Sequence, residues 1–205
     1  MAKTTAKPPT KSRAKAASAA PSKAASKPRA KAAATPSAAS SASADTKAAR
    51  KAAVAVGKKV PAFTAEATGG RKVSSKSLVG QPYVLYFYPK DDTPGCTTEG
   101  RDFAARYDAF RRLGVEVLGV SRDSLASHEK FKAKHGLPFD LISDPDEKLC
   151  NLFDVIREKS LYGRKFMGVE RSTFLVDAAG VLAKEWRKVK VNGHVENVLE
   201  AARSL

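Results

Sequence analysis

Long apolar runs are missing from this chain. No stretch approaches the roughly 18–20 consecutive apolar residues that are needed to cross a bilayer. No apolar segment follows the basic first residues, as one would in a secretory signal. The sequence therefore favours neither a membrane protein nor a secreted one. Cysteine is also scarce, since two in 205 residues give no disulfide framework and fit a reducing compartment.

The first quarter of the chain lacks large apolar side chains altogether. Residues 2–53 contain no Val, Ile, Leu, Phe, Tyr or Trp and consist almost entirely of Ala, Lys, Ser, Pro, Thr and Arg. Such a segment has nothing to bury against the entropy cost of ordering. We therefore predict that residues 1–57 form a disordered tail and that residues 58–205 form one folded domain.

Acidic residues are nearly absent from the same part of the chain. Residues 1–59 hold fourteen Lys or Arg and one acid, Asp45, and so carry most of the net charge of +16. A basic segment without aromatic residues is suited to sequence-independent contact with phosphates through counterion release. Three interpretations stay open for the tail: contact with DNA, an inert solubilising extension, or a targeting segment. If the tail contacts DNA, the alternative to an enzyme is a DNA- or nucleoid-associated protein that senses redox state or protects the bound DNA.

Apolar periodicity becomes readable from Val60 onward. Residues 83–88 are a continuous apolar run of strand length, as expected for a strand that is covered on both faces. Further strands are predicted at 115–120, 139–142, 171–177 and 181–189, a short hairpin at 61–74, and helices after residue 96, at 124–135, at 144–156 and at 194–204. Strands that alternate with helices and end in a hairpin and a last helix predict an α/β fold with a mixed sheet.

One cysteine lies where the apolar strand passes into a helix. It ends the sequence PKDDTPGC, residues 89–96. Free backbone N–H groups and the helix dipole favour thiolate over thiol at such a position. Thr93 offers a hydroxyl that can donate to the sulfur or to a substrate oxygen, and Pro89 removes a competing donor and shields the sulfur from water. Arg171, from a distant strand, would hold the thiolate and polarise an oxygen. The pattern predicts that Cys96 is a reactive thiol.

These residues resemble a family signature. The spacing Pro89-x-x-x-Thr93-x-x-Cys96 is similar to the active-site signature of the peroxiredoxins. The longer sequence YFYPKDDTPGCTTE, residues 86–99, resembles that of the bacterioferritin comigratory protein/PrxQ subfamily. The resemblance extends to the C-terminus and places the family's active-site arginine on Arg171. It implies a thioredoxin-like fold and a thiol peroxidase of antioxidant defence that reduces hydrogen peroxide and organic hydroperoxides, with no metal or organic cofactor.

The resemblance also implies a role for each residue of the motif. Cys96 would be the peroxidatic cysteine, whose thiolate attacks the terminal peroxide oxygen and becomes a sulfenic acid. Thr93, Arg171 and the backbone N–H of Cys96 would bind the peroxide oxygens and stabilise the developing charge. Glu99, in the first helical turn, is either a cap or dipole partner or a residue that orients the arginine.

The chain departs from the family pattern at the resolving cysteine. Many relatives carry one five residues after the peroxidatic cysteine, where this sequence has Arg101. The other thiol, Cys150, lies far downstream beside Leu149 on a predicted apolar helix. This place favours a core position, although a resolving role stays open. We therefore expect Cys96 to be reduced by an external thiol, with thioredoxin, glutaredoxin or glutathione as the candidate reductant.

The remaining expectations concern partners and location. His128, His135 and His194 lack the spacing of metal ligands, so no metal is predicted. The subfamily resemblance favours a monomer, and no membrane contact is expected. We expect a cytoplasmic protein, in the bacterial cytoplasm or nucleoid, with a nuclear or plastid location as the alternative.

Overall fold

The computed structural model describes residues 54–161 and 163–205. The predicted disordered tail therefore lies outside the described residues, apart from its last four. Two of these four contact the domain: Val54 is buried in the core, and the backbone N–H of Gly57 donates to the carbonyl of Leu182 at 2.8 Å. The division of the chain at residue 57 stays a prediction.

The described residues form nine strands, four α-helices and one short 3-10 helix. In chain order they are β1 (Thr64–Ala67), the 3-10 helix (Thr68–Gly70), β2 (Arg71–Ser74), β3 (Tyr83–Phe87), α1 (Pro94–Arg112), β4 (Glu116–Ser121), α2 (Leu125–His135), β5 (Asp140–Ser143), α3 (Lys148–Leu152), β6 (Ile156–Leu161), β7 (Arg164–Val169), β8 (Ser172–Val176), β9 (Leu182–Trp186) and α4 (His194–Ala202).

Seven strands form one mixed sheet in the order β2-β1-β5-β4-β3-β8-β9. The three central strands β5, β4 and β3 are parallel, while β8 runs antiparallel to β3 and β9 antiparallel to β8. β6 and β7 pair only with each other, as a separate antiparallel hairpin. The arrangement confirms the predicted α/β fold with a mixed central sheet.

The central strand β3 is buried along its whole length. Its side chains point alternately to two hydrophobic cores, with Leu85 and Phe87 in one and Val84 and Tyr86 in the other. Burial on both faces explains why the sequence of this strand is continuously apolar rather than alternating. The carboxyl end of β3 therefore lies inside the molecule, and the segment that follows it begins from a fixed point.

Helix α2 confirms the prediction for residues 124–135. The hydroxyl of Ser124 accepts a hydrogen bond from the backbone of Ser127, and Gly136 ends the helix in the left-handed conformation, with φ of 62°. This helix packs on the same side of the sheet as α1, because Phe131 and Phe103 belong to one core. The loop between β3 and α1 can therefore contact α2.

The helix predicted over 144–156 is much shorter in the structure. α3 spans only Lys148–Leu152, and Ile156 begins β6 instead of completing an apolar stripe. Left-handed conformations at Glu147 and Asp154, with φ of 57° and 51°, interrupt the helix at both ends. The hairpin β6–β7 was not predicted, because its charged residues do not alternate with apolar ones.

Candidate active site

Cys96 lies in the first turn of α1, as the sequence pattern predicts. Thr93 is the N-cap residue in an extended conformation and Pro94 is the first helical residue. The carbonyl of Thr93 accepts a hydrogen bond from the backbone N–H of Thr97 at 2.8 Å, which closes the turn around the cysteine. Only 2% of Cys96 is exposed, so its sulfur lies at the bottom of the site.

Arg171 contacts the sulfur from the neighbouring strand. It immediately precedes β8, whose first residue Ser172 is paired with Phe87 at the end of β3. This register places Arg171 beside the start of the loop that leads to Cys96. Its Nη2 donates a hydrogen bond to Sγ of Cys96 at 3.3 Å. The sheet thus joins two residues that are 75 positions apart in the chain.

Glu99 holds the other side of the same guanidinium. Nη1 of Arg171 donates to Oε2 of Glu99, and the glutamate is 0% exposed. Because Glu99 lies three residues after Cys96, both side chains are on one face of α1. Of the two sequence interpretations of Glu99, the structure supports the one in which it orients the arginine. We call these three residues the Cys96–Arg171–Glu99 triad.

Arg171 and Glu99 are largely buried, and each affects the pKa of the other. Burial acts to lower the pKa of Arg171, but the Glu99 carboxylate and the Cys96 sulfur raise it above its ordinary value. Burial raises the pKa of Glu99 to about 7, and the charge and hydrogen bond of Arg171 oppose that shift. The guanidinium therefore stays charged and can stabilise negative charge on the sulfur or on a bound oxygen.

Gly95 makes room for the arginine. A Cβ atom at this position would lie 3.3 Å from Nη2 of Arg171, which is tighter than ordinary van der Waals contact. Any other residue would require the guanidinium, which donates to the Cys96 sulfur, to shift by a few tenths of an ångström. A contact between residue 95 and Arg171 has no local signal in the sequence.

Thr93 and Pro89 lie at the entrance of the site, and both are half-buried. The hydroxyl of Thr93 donates to the carbonyl of Lys90 at 3.1 Å. Within the part of the chain that the structure describes, this hydroxyl makes no hydrogen bond to Cys96. The oxygen of this hydroxyl can accept a hydrogen bond from a peroxide as it stands, and the hydroxyl must rotate away from Lys90 to donate one.

Two further residues interact with the triad. Burial lowers the pKa of Lys159 on β6, with a contribution from the charge of Arg171 and an opposing one from Cys96. Burial, with the charge of Arg171, also lowers the pKa of His194 to about 4. His194 is therefore neutral near pH 7 and packs against Thr173 rather than carrying charge. Neither residue could be assigned to the site from local sequence.

Comparison with known proteins agrees with this geometry. The sequence model of the AhpC/TSA family matches residues 56–185. The chain belongs to the AhpC/TSA family. It is 52% identical over 137 residues to peroxiredoxin Bcp of Xanthomonas campestris pv. campestris, which covers 67% of this chain and 86% of the relative. It is 46% identical over 152 residues to peroxiredoxin Bcp of Bacillus subtilis, covering 74% and 97% of the two chains.

Solved structures show the same relation. Xanthomonas campestris peroxiredoxin Q superposes with a TM-score of 0.67 at 50% identity, over 69% of this chain and 90% of that one. Xylella fastidiosa PrxQ superposes with a TM-score of 0.70 at 41% identity, over 74% and 96%. These relatives confirm the predicted Bcp/PrxQ type, the thioredoxin-like fold and the thiol peroxidase activity of this peroxiredoxin.

The second cysteine of this peroxiredoxin lies in the other core. Cys150 is 0% exposed and packs in the core cluster that contains Leu85, whereas Cys96 belongs to the cluster on the opposite face of the sheet. Burial, together with the nearby Asp144 carboxylate, raises the pKa of the Cys150 thiol well above its ordinary value. Both cysteines are free thiols. A disulfide between them would require the domain to open, so a core role for Cys150 is favoured.

Among residues 54–161 and 163–205, no group of three or more His, Cys, Asp or Glu is arranged to hold a metal ion. Two of the three histidines instead pair with single aspartates, His128 with Asp91 and His135 with Asp92. In the same residues no helix is both long and apolar enough to cross a membrane.

The buried Glu99 should make the stability of this peroxiredoxin depend on pH. Its pKa is 4.5 in an ordinary environment and about 7 in the fold. Between these values the folded state binds a proton that the unfolded state has released, so stability falls as pH rises. The free energy of unfolding should decrease by up to about 1.4 kcal/mol per pH unit, and Glu99→Gln should lack this slope.

Urea unfolding of both proteins, from about pH 5 to about pH 8, measures this difference. The glutamine variant also loses the ion pair with Arg171 at every pH, which shifts its absolute stability by a constant amount and leaves the missing pH dependence as the diagnostic difference. Parallel curves for the two proteins would contradict the assignment of the titration to Glu99.

Proposed function

We propose that this peroxiredoxin reduces hydrogen peroxide and alkyl hydroperoxides with Cys96 as the peroxidatic residue. The hydrogen bond from Nη2 of Arg171 to Sγ of Cys96, at 3.3 Å in the first turn of α1, carries the proposal. A cation and a helix N-terminus directed at one sulfur can stabilise negative charge as that sulfur reacts as a nucleophile. Support for the alkyl substrates comes from the bacterioferritin comigratory protein of Xanthomonas campestris, a structural relative described by its alkyl peroxide reduction activity.

The reaction is a displacement at oxygen. The Cys96 thiolate attacks the terminal oxygen of the peroxide, an S–O bond forms, and the O–O bond breaks. The electron pair of that bond leaves with the other oxygen, which takes up the peroxide's proton and departs as water or an alcohol. The sulfur is oxidised to the sulfenic state and the peroxide is reduced.

The surrounding groups stabilise the charge that moves during this step. Arg171 donates to the sulfur before the attack and is placed to donate to the departing oxygen during it. Glu99 fixes the guanidinium from its other side, so that Nη2 faces the sulfur. We assign the hydroxyl of Thr93 and the backbone N–H of Cys96 to binding the peroxide oxygens, and Pro89 to shielding the sulfur from water.

An external thiol would complete the cycle. Arg101, at the position where many relatives carry a resolving cysteine, is exposed on α1, and Cys150 lies in the opposite core. The sulfenic acid of Cys96 would therefore form a mixed disulfide with the reductant and be released by a second thiol. Thioredoxin, glutaredoxin and glutathione all fit this chemistry.

Intact mass after peroxide treatment tests this cycle. One equivalent of hydrogen peroxide, without reductant, should add about 16 Da to the chain, and added glutathione should convert that species to a mixed disulfide. The Cys150→Ser variant should give the same two products. A loss of about 2 Da that requires Cys150 would instead establish a disulfide between the two cysteines.

Other parts of the hypothesis depend on residues outside the described ranges or on the whole protein. Contact of the basic residues 1–57 with DNA stays a prediction that rests on their composition. A monomeric state and a location in the cytoplasm, with nucleoid, nucleus or plastid as alternatives, are likewise proposals from the subfamily resemblance. None of them is required for peroxide reduction at Cys96.

A further inference from the structure

The loop that carries the active-site motif is fastened to α2 by two consecutive aspartates. We call residues 89–93, which connect β3 to α1, the active-site loop. Its Asp91 contacts His128, with Nδ1 at 2.9 Å from Oδ2. Its Asp92 contacts Lys134 at 2.5 Å and His135 at 2.9 Å. His128 and His135 are seven residues apart and therefore lie on the same face of α2, two turns from each other.

The first of these two contacts is deeply buried. The side chains of Asp91 and His128 are 4% and 0% exposed. Oδ1 of Asp91 accepts a hydrogen bond from the hydroxyl of Tyr88 at 2.8 Å, and Oδ2 accepts one from the hydroxyl of Ser127 at 2.7 Å. The backbone N–H of Asp91 donates to Asp123 at 2.9 Å. Asp91 is thus fixed through both its carboxylate and its backbone.

His128 is bound at both ring nitrogens. Nδ1 faces the Asp91 carboxylate, and Nε2 lies 3.1 Å from the carbonyl oxygen of Ile142 on β5. Both neighbours are hydrogen-bond acceptors, so the arrangement is satisfied when each nitrogen carries a hydrogen. Burial acts to raise the pKa of Asp91, but the hydrogen bond and charge of His128 lower it below its usual value. The contact is therefore a buried pair of hydrogen-bonded side chains that connects the loop to both α2 and the sheet.

The Asp91–His128 pair is close in the chain to the residues of the active site. Asp91 lies two residues before Thr93 and five before Cys96, in a loop that has a rigid strand on one side and a helix on the other. Thr93 is both the N-cap of α1 and a residue that we assign to peroxide binding. A displacement of Asp91 would therefore be transmitted first to Thr93 and would move its hydroxyl relative to Cys96.

We propose that Asp91 and His128 are positioning residues for the peroxidase reaction: they fix the active-site loop on α2 and so hold Thr93 in register with Cys96. This inference rests on the proposed role of Cys96 as the peroxidatic residue. Neither residue touches the substrate. The second contact, through the half-exposed Asp92, is screened by solvent and has a minor effect.

Two reactions of the same sulfur distinguish positioning from mere stabilisation. Alkylation of Cys96 by iodoacetamide needs a reachable thiolate, whereas oxidation by hydrogen peroxide also needs the peroxide oxygens to be held in line. In the full-length chain, Asp91→Asn should lower the rate constant for oxidation by about tenfold to a hundredfold. The rate constant for alkylation, followed on the Cys96 peptide by mass spectrometry, should change by less than about threefold.

Asp92→Asn is the matched control, because it is the neighbouring carboxylate with the same change of charge. Its backbone has φ of 56°, a left-handed conformation that asparagine tolerates. Both rate constants should stay within about twofold of the unmodified protein, since the contact is exposed. Equal losses in the Asp91 and Asp92 variants would overturn the assignment to the buried pair.

The remaining outcomes are also decisive. A folded Asp91→Asn protein with unchanged oxidation, or with oxidation and alkylation lowered in parallel, would overturn the proposal. If this variant does not fold, Ser127→Ala removes one hydrogen bond to Asp91 and leaves its contact with His128. It should lower the ratio of oxidation to alkylation by about threefold; an unchanged ratio would overturn the proposal. Failure of the proposed function is separate, because then Cys96 would resist peroxide in the unmodified protein as well.

Discussion

Replacement of Cys96 by serine should abolish peroxide turnover. A serine hydroxyl is not ionised near neutral pH, and no general base within the triad is free to activate it, since Glu99 is engaged with Arg171. The substitution is nearly isosteric at a position that is 2% exposed, so the fold should be retained. Peroxide consumption with dithiothreitol as reductant should fall to the rate of the buffer alone, at least about 10⁴-fold below the unmodified protein.

Cys150→Ser is the control for this experiment. Cys150 is also buried and free, but it lies in the core on the opposite face of the sheet. Its replacement should keep peroxide turnover within about threefold, and it should cost about 1–3 kcal/mol of stability because a hydroxyl is buried among apolar groups. Turnover that survives in Cys96→Ser, or is lost in a folded Cys150→Ser, would show that the peroxidatic cysteine has been misassigned.

The corner that holds Cys96 could be predicted because its signals are local. A strand buried on both faces is continuously apolar, and Pro94 at the first helical position marks where α1 begins. The family resemblance then connected this corner with Arg171, which no periodicity could have done. The sequence interpretation placed Arg171 on a strand, and the structure places it one residue before β8.

The partners of charged residues could not be predicted, because they depend on contacts between distant segments. The ion pair of Glu99 with Arg171 spans 72 positions, and the hydrogen-bonded contact of Asp91 with His128 spans 37. On the sequence alone, nothing marks Asp91 as a partner of His128, and His128 is noted only for lacking the spacing of a metal ligand. Burial of an acid and a base at the same place gives no periodic pattern, so only the fold reveals them.

The end of helix α3 could not be predicted from the sequence either. Asp154 adopts a left-handed conformation, and the apolar Phe153 and Ile156 on either side of it continue the helical spacing of α3 in the sequence. Tertiary packing overrides that spacing, since Ile156 is buried as the first residue of β6. The hairpin that follows brings Lys159 towards the triad, and this residue therefore belongs to the part of the site that sequence reasoning missed.

Arg171→Lys should lower the rate of Cys96 oxidation by about 10²–10³-fold although the positive charge is kept. The guanidinium uses two nitrogens in a fixed plane, one on Oε2 of Glu99 and one on Sγ of Cys96. A lysine ammonium is a point charge on a flexible stem and cannot hold both partners in this geometry. It would pair with the buried Glu99 carboxylate and leave the sulfur without a directed donor.

Stopped-flow measurement of Cys96 oxidation by hydrogen peroxide tests this expectation, with Arg157→Lys as the matched control. Arg157 on β6 also pairs with a carboxylate, Asp154, at 2.8 Å, but it makes no hydrogen bond to Cys96 among the described residues, and its replacement should change the rate by less than about twofold. If Arg171→Lys stays within about tenfold of the unmodified protein, positive charge alone suffices and the fork geometry is not required. A loss of the expected size would mean that the reaction needs the two-nitrogen geometry of the guanidinium, with one nitrogen on Glu99 and the other directed at the sulfur.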